Sequence, residues 1–379
     1  MIYFDNAATT GVKPPEVIKA VDNALKMYSA NPGRSGHAAA LRTAEAVYKV
    51  REKTADFFGA KSPENVVFTM NCTHSINCVL KGVLRPGDHV VISSLEHNAV
   101  VRPLKKIGVS FDVAKISFTD ESETVEEFKR RLKPHTKMVF ITAASNVLGK
   151  ILPLKAIGKL CRDRGILFAV DAAQLAGVIP INMQETGIDF LCVAPHKGLY
   201  APMGIGILIT EKFIPNTLIE GGTGTNSLEF VQPQVLPERM ESGTLNLPGI
   251  MGVSAGIDYL KKMGMERIYL HEMGLIEKIY NSLERMPFVK LYTPYPKASE
   301  YAPVLSFNYG DLSSEETGML LAKMGIAVRA GLHCAPLAHK YAGTAERGTV
   351  RVSVSAFNNQ KEVHGFIEAL KDIKNFKKV

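Results

Sequence analysis

Between Asn65 and Thr210, short runs of β-branched and aromatic residues alternate with stretches of helical period. That alternation predicts a mostly parallel sheet with helices on both faces. Strands are expected at 66–69, 90–93, 138–142, 166–170, 190–193 and 204–209, with a seventh at 110–114. Ahead of them, Val47, Val50, Thr54 and Phe57 recur at helical spacing, and Gly59 stands where a helix ends in a left-handed residue. After about Gly249 the pattern changes. Leu275, Ile279, Leu283 and Met286 mark one face of a long helix, and strands are expected at 304–308 and 350–355. Ser313-Ser-Glu-Glu316 offers a capping box, Gly325 a stop, and Val363, Phe366, Leu370 and Ile373 a last amphipathic face. The expected organisation is a large α/β domain over 1–250 and a smaller α+β domain over 251–379, with the N-terminal segment free to pack on the smaller one. The glycine- and threonine-rich stretch 221–227 is expected to be a loop.

Composition narrows the classes. With 379 residues, 46% hydrophobic and 22% charged, the chain can bury a large core, which excludes a disordered or fibrous protein. The start Met1-Ile-Tyr-Phe-Asp-Asn lacks the basic and apolar segments of a signal peptide, and no apolar run is long enough to span a bilayer. A cytoplasmic location without a membrane partner is the expectation. Cys72, Cys78, Cys161, Cys192 and Cys334 form an odd set without a C-x-x-C pair, which suits reduced thiols better than disulfides or zinc. The net charge of +8 comes from 45 basic against 37 acidic residues, scattered as in Lys129, Arg130, Arg131 and Lys133. Such runs are solvated helix faces. An anionic cofactor or acidic protein partner fits this surface better than nucleic acid.

In an open α/β sheet, ligands bind beyond the carboxyl ends of the strands. Thr73 follows the first predicted strand, Glu96 and His97 the second, Asn146 the strand ending at Thr142, then Asp171 with Gln174, then His196 with Lys197. Lys197 sits between an apolar strand and a glycine. It reads either as a surface lysine in a turn or as an amine placed to form a Schiff base with an aldehyde cofactor. Asp171 ends an apolar run and needs a cationic or hydrogen-bonding partner. The pyridinium nitrogen of pyridoxal phosphate is one; capping a following helix is compatible, and a metal is disfavoured without a ligand cluster. His97 is either a satisfied core histidine or a ring that stacks on a flat cofactor. Thr73 is either an ordinary helix N-cap or a phosphate ligand at a helix start.

Beside these residues, Phe4-Asp-Asn-Ala-Ala-Thr-Thr10, Glu96-His97, Ser145-Asn-Val-Leu-Gly149, Val170-Asp-Ala-Ala-Gln174, His196-Lys197, Glu241-Ser-Gly-Thr244 and Arg329-Ala-Gly-Leu-His-Cys-Ala335 occur in one order. In these motifs, over nearly its whole length, the chain resembles the class V aminotransferase family, specifically the SUF-type cysteine desulfurases and selenocysteine lyases. The resemblance implies a fold-type I transferase dependent on pyridoxal 5′-phosphate, with a mostly parallel seven-stranded sheet. It also implies that Lys197 carries the cofactor, Asp171 pairs with the ring nitrogen, Gln174 approaches the ring hydroxyl and His97 stacks on the ring. Thr73 and His196 would hold the phosphate, and Thr244 would reach the phosphate of a neighbouring subunit in a homodimer. Asn146 and Arg351 would clamp the substrate carboxylate, with Arg329, Arg34 and His37 also on the substrate side.

Cys334, in the smaller domain with Arg351, matches the family's persulfide-forming cysteine. The implied reaction converts L-cysteine to alanine, moves sulfur to Cys334 and on to a protein acceptor, and serves iron–sulfur assembly. L-selenocysteine is the alternative substrate, and a related aminotransferase or lyase the alternative activity. Thiolate character at Cys334 would draw on Arg329, His333 or the cofactor. One departure is Ala194, where the family has a serine, so one phosphate contact is expected to be missing.

Overall fold

The protein, described here by a computed structural model, is defined for residues 1–376 except 29, 33–35 and 226. Seven strands form the main sheet, in the order Val66–Thr69, Gly206–Thr210, Phe190–Val193, Leu167–Asp171, Thr136–Thr142, His89–Ser93 and Ser110–Ala114. Only Gly206–Thr210 runs against the others, pairing antiparallel with both neighbours. The remaining ladders are parallel. All strand ends that carry candidate residues therefore reach the same rim.

The strands are apolar almost throughout because both faces are covered, yet the two-residue period still sorts their side chains. Val66, Phe68, Val91, Val139, Ile141, Phe168 and Val170 point into one core with the helices Ala38–Phe58, Leu154–Asp163 and Leu247–Met263. Val67, Val90, Ile92, Met138, Phe140, Ala169 and Cys192 point into the other, against Cys72–Val83 and Asn98–Ile107. On the helix Ala38–Phe58 the buried stripe runs Val47, Val50, Thr54 and then Phe58, so Phe57, expected on it, is only half-buried beside it. Gly59 ends that helix at φ 64° as expected. The strand expected from 204 begins at Gly206, because Gly204 has φ +86°, which an extended strand cannot hold.

A second, antiparallel sheet runs Arg329–Gly331, Thr349–Ser353, Val304–Tyr309 and Val289–Leu291. Helices Met265–Glu284 and Gln360–Phe376 cover it, with Leu275, Ile279, Leu283, Phe307, Val363, Phe366 and Leu370 in one core. The capping box at Ser313 and Glu316 is formed. Ile2–Tyr3 pairs in parallel with Ile326–Ala327, and Phe4 packs edge-on against Phe366 at 5.7 Å. The N-terminus thus belongs to this smaller core. Among the described residues, no helix is long and apolar enough to cross a membrane.

Helix Leu247–Met263 lies directly under the loop that follows Lys197. A Cβ at Gly256 would stand 1.9 Å from the carbonyl oxygen of Leu199, so helix and loop approach as only glycine allows. Gly256→Ala should lower thermal stability by about 1–3 kcal/mol through forced separation. A melting temperature equal to wild type would show that the contact is slack.

Candidate functional site

A cavity of about 120 Å³ at the carboxyl rim of the main sheet is lined by Thr73, His97, Asn146, Asp171, Gln174, Ala194, His196 and Lys197, among others. Six strand-end residues expected to converge, together with Gln174, line this one cavity. Asp171 is the last residue of the central strand and is 4% exposed. Its Oδ1 accepts the Ala173 N–H at 2.9 Å and faces the Cys72 thiol at 3.6 Å. The residues that follow form turns, so Asp171 caps no helix. Burial pushes the Lys197 amine below its ordinary pKa, against the pull of Asp171 and with help from Arg351 and Arg329. The desolvated amine and the buried carboxylate share the cavity.

Thr73 is not a cap. Asn71 caps helix Cys72–Val83 by accepting the His74 N–H at 2.9 Å, which leaves the Thr73 hydroxyl free at the second helical position. His97, by contrast, caps helix Asn98–Ile107 through Nδ1, which accepts the Ala99 N–H at 3.0 Å. Burial lowers its pKa, opposed by Asp171 and aided by Lys197, Arg329 and Arg102. With Nδ1 accepting, the neutral ring carries its proton on Nε2. His196 is likewise uncharged, pushed down to about 4 by burial and by Lys197 and Lys13, and its Nδ1 is buried without a partner.

The structure tests whether pyridoxal phosphate suits these residues. An orphaned imidazole nitrogen, a free hydroxyl in the first turn of a helix, a neutral ring, a buried carboxylate and a desolvated amine border one cavity, and together they meet the demands of a phosphorylated aromatic aldehyde. Gln174 is 9% exposed and donates through Nε2 to the Ala7 carbonyl at 3.0 Å. Ala194 offers no side-chain donor, as expected from the sequence. Among the described residues, no group of three or more His, Cys, Asp or Glu is placed to hold a metal.

Arg351 is 1% exposed; its Nη2 pairs with Asp5 at 2.7 Å and its Nη1 donates to the Asn146 carbonyl at 3.0 Å, while Nε is buried without a partner. Arg329 stands directly opposite Arg351 in the antiparallel ladder. Two facing guanidinium groups repel unless an anion lies between or near them. Asn146 donates through Nδ2 to the His333 carbonyl at 2.7 Å. Cys334 follows, with the backbone N–H of Asn98 held to its carbonyl at 2.7 Å. Both His333 (φ 47°) and Cys334 (φ 57°) are left-handed. Cys334 is exposed and lines an adjoining cavity of about 370 Å³ together with Thr73 and His97. One expectation fails here. His333, buried against Thr349, Arg351 and Arg329, is pushed down to about 2 and is uncharged, so it supplies no positive charge to Cys334.

Arg329, Arg351, Thr244 and His37 do not line the cavity that holds Lys197, Thr244 being expected at the phosphate of a neighbouring subunit. Thr244 is exposed, with Asn31 Nδ2 at 3.4 Å from its hydroxyl. His37 caps helix Ala38–Phe58 by accepting the Ala40 N–H at 3.2 Å. Arg34 lies outside the described residues. Other contributors were not legible as site residues. Thr9, Thr10 and Lys13 converge on the His196 carbonyl, with Lys13 Nζ at 2.9 Å, so the N-terminal motif carries the lysine loop. Cys72 reaches Asp171, and Asp5 holds Arg351; Asp5 lies within the motif at 4–10 and Cys72 precedes Thr73, but neither carried an expected role of its own.

The Aminotransferase class-V family model matches residues 2–366. A probable cysteine desulfurase of Methanothermobacter thermautotrophicus is 33% identical, over 98% of this chain and 94% of its own length. One from Synechocystis sp. is 31% identical, over 98% and 90%. Among solved structures, the apo cysteine desulfurase of Thermococcus onnurineus NA1 superposes with a TM-score of 0.90 at 32% identity, covering 99% of this chain and 95% of that one. The Escherichia coli cysteine desulfurase CsdA, solved in an S-sulfonic acid form, gives 0.87 at 26% identity, over 99% and 94%.

Glu96 is wholly buried behind the cavity. Its Oε1 accepts from the Thr142 N–H at 2.9 Å and from the Ser93 hydroxyl, while Oε2 has no partner. Burial raises its pKa to about 8. Because the folded value lies above the unfolded one, its contribution to stability is full below the unfolded carboxyl pKa and is lost as pH rises through about 8. Glu96→Gln keeps the acceptor and cannot ionise. Its melting temperature should gain on wild type steadily from about pH 5 to about pH 8, and level off above. A difference independent of pH would mean that Glu96 is already ionised.

Proposed function

Because the chain belongs to the class-V aminotransferase family, we propose that it is a fold-type I cysteine desulfurase that uses pyridoxal phosphate to convert L-cysteine to alanine and takes the sulfur on Cys334. Bound at the cavity, the cofactor would supply an electron sink for the substrate carbon atoms. The chain's residues do the rest. Lys197 would hold the cofactor, Asp171 its ring nitrogen, Gln174 its ring hydroxyl, and Thr73 and His196 its phosphate, while His97 stacks on the ring with its proton at Nε2. Thr244 would serve the phosphate of a second copy. In keeping with a homodimer, Leu228, Phe230, Val231 and Val235 are exposed apolar residues near it in the chain. The cofactor-binding part would be residues 1–250 and the sulfur- and carboxylate-handling part 251–379.

One observation carries the assignment of the acceptor thiol. Burial raises Cys78 and Cys161 to about 12, and lifts Cys192 and Cys72 well above the ordinary thiol range, Cys72 with further repulsion from Asp171. Cys334 alone of the five is exposed. A thiolate is the nucleophile that takes sulfur, so the four thiols with raised pKa are poor candidates and Cys334 is the accessible one. It lies on a loop tied to Asn146, which lines the cofactor cavity, and to Asn98, which lines the adjoining one.

Incubated with L-cysteine and excess reductant, the wild-type holoenzyme should release alanine and sulfide together, and Cys334→Ser should lose both. Wild-type turnover by Cys334→Ser would overturn the role of the thiol, and absence of alanine from the wild type would overturn L-cysteine as substrate. Arg351→Lys removes the fork that Asp5 and Asn146 hold in place. It should raise KM for L-cysteine by about tenfold or more with a smaller change in kcat, since hydrogen bonds to charged groups contribute about 1.5–3 kcal/mol. An unchanged KM would remove Arg351 from the carboxylate site.

A further inference from the structure

Beyond Cys334 the site opens into the cavity of about 370 Å³, walled by two helix faces. Thr73, Asn77 and Lys81 come from Cys72–Val83 at four-residue spacing; Asn98, Ala99, Arg102, Pro103 and Lys106 come from Asn98–Ile107, and His97 and Cys334 close the inner end. No carboxylate lines this space. Lys81, Arg102 and Lys106 are exposed, and among the described residues none has a carboxylate within 4.0 Å. Several lysines on other helices are neutralised by neighbours, among them Lys26 by Asp22, Lys49 by Glu45, Lys159 by Asp163 and Lys371 by Glu368. The field of these cations extends inward, since Arg102 helps to lower the His97 pKa.

We propose that this cavity is the site at which a small carboxylate-bearing thiol takes the sulfur from Cys334. The inference rests on the desulfurase reading and adds the chemical class of acceptor. A volume of about 370 Å³ falls at the lower end of pockets that take small ligands, roughly 300–1,000 Å³. The unneutralised cations would hold the acceptor's carboxylates in the outer half, which directs its thiol toward Cys334 at the inner end. The acceptor thiolate forms a bond to the outer sulfur of the Cys334 persulfide, and the bond from Sγ to that sulfur breaks. The electron pair returns to Sγ, which regenerates the Cys334 thiolate, and the outer sulfur leaves with its proton as the acceptor's persulfide. Neither an oxidant nor a reductant is consumed.

The test separates loading from discharge. Holoenzyme is loaded with L-cysteine, the added sulfur on Cys334 is verified by mass, small molecules are removed, and discharge is timed with mercaptosuccinate, mercaptoethanol and cysteamine. Dividing each rate by that of the same thiol on wild type cancels its intrinsic reactivity. The double variant Lys81→Glu/Lys106→Glu should slow mercaptosuccinate roughly fivefold, leave mercaptoethanol unchanged and favour cysteamine, as expected for a few exposed charges. The effect should shrink in salt. The neutral pair Lys81→Gln/Lys106→Gln should move in the same direction by less, so the test survives if charge reversal prevents folding. Lys19→Glu/Lys26→Glu, the same charge change on helix Pro15–Met27 away from the cavity, should leave all three rates alone.

Equal effects on the three thiols, or on the distant pair as much as on the cavity pair, would overturn the proposal. So would slower uptake of pyridoxal phosphate by the apo-protein with the thiol ratios unaltered, since the cations would then serve the cofactor's phosphate. If wild type never gains sulfur on Cys334, the desulfurase reading itself fails; if it loads and then discharges without regard to charge, only the acceptor class fails.

Discussion

A carboxylate at the buried end of the central strand sets the requirement that the rest of the site answers. Asp171 is 4% exposed, and its one backbone hydrogen bond and one long thiol contact are too little to balance a buried charge. Its strand lies in the middle of the sheet, with Thr142 and Cys192 as register partners, so the position cannot relax toward water. The same burial lowers the pKa of Lys197 and leaves Glu96, directly behind, raised to about 8. A neighbouring carboxylate that is largely protonated near neutrality spares Asp171 a second negative charge. The arrangement leaves one buried carboxyl group facing the cavity, with an amine beside it.

Holding that amine in place falls to the N-terminal segment. Ile2–Tyr3 joins Ile326–Ala327 by parallel pairing, Phe4 is buried in the smaller core, and Asp5 anchors Arg351. A few residues later Thr9, Thr10 and Lys13 meet the His196 carbonyl, and the Ala7 carbonyl accepts from Gln174. Thirteen residues thus tie the strand that bears Arg351 to the loop that bears Lys197. A shift of this segment would move both together, which is a mechanical reason for its polar character between two apolar cores.

Most of the main sheet was legible because its strands are bounded by clear turns and because parallel strands, buried on both faces, must be apolar. What local pattern misjudged were single positions where backbone geometry decides. Gly204 reads as the start of a strand until its positive φ is seen, and Phe57 reads as core until the helix turn places Phe58 there. The cavity residues were legible for a topological reason, since strand ends in such a sheet face one rim. Residues whose effect passes through another residue were not. Nothing in the sequence pairs Cys72 with Asp171 or Asp5 with Arg351, for these contacts join positions 99 and 346 residues apart. Charge at His333 was misjudged for the same reason: its burial between the arginines exists only in three dimensions.

The thiols show how one residue type is sorted by environment. Cys192 occupies the sheet interior, Cys78 and Cys161 occupy helix faces turned to the two cores, and in each case apolar surroundings suppress the thiolate. Cys72 is nearer the cavity but lies against Asp171, so a negative sulfur there would meet a negative oxygen. Cys334 instead stands exposed on a left-handed turn with His333, a conformation that costs roughly 1–3 kcal/mol per residue outside glycine. The turn persists because it is held at several points. Asn146 binds the His333 carbonyl, Asn98 binds the Cys334 carbonyl, and the His333 ring meets Thr349. Asn146 lines the cavity that holds Lys197 and Asn98 lines the adjoining one, so the strain is maintained by the walls of both. The backbone that lifts the thiol into the open is thereby fixed relative to Lys197, and neither can be repositioned without the other.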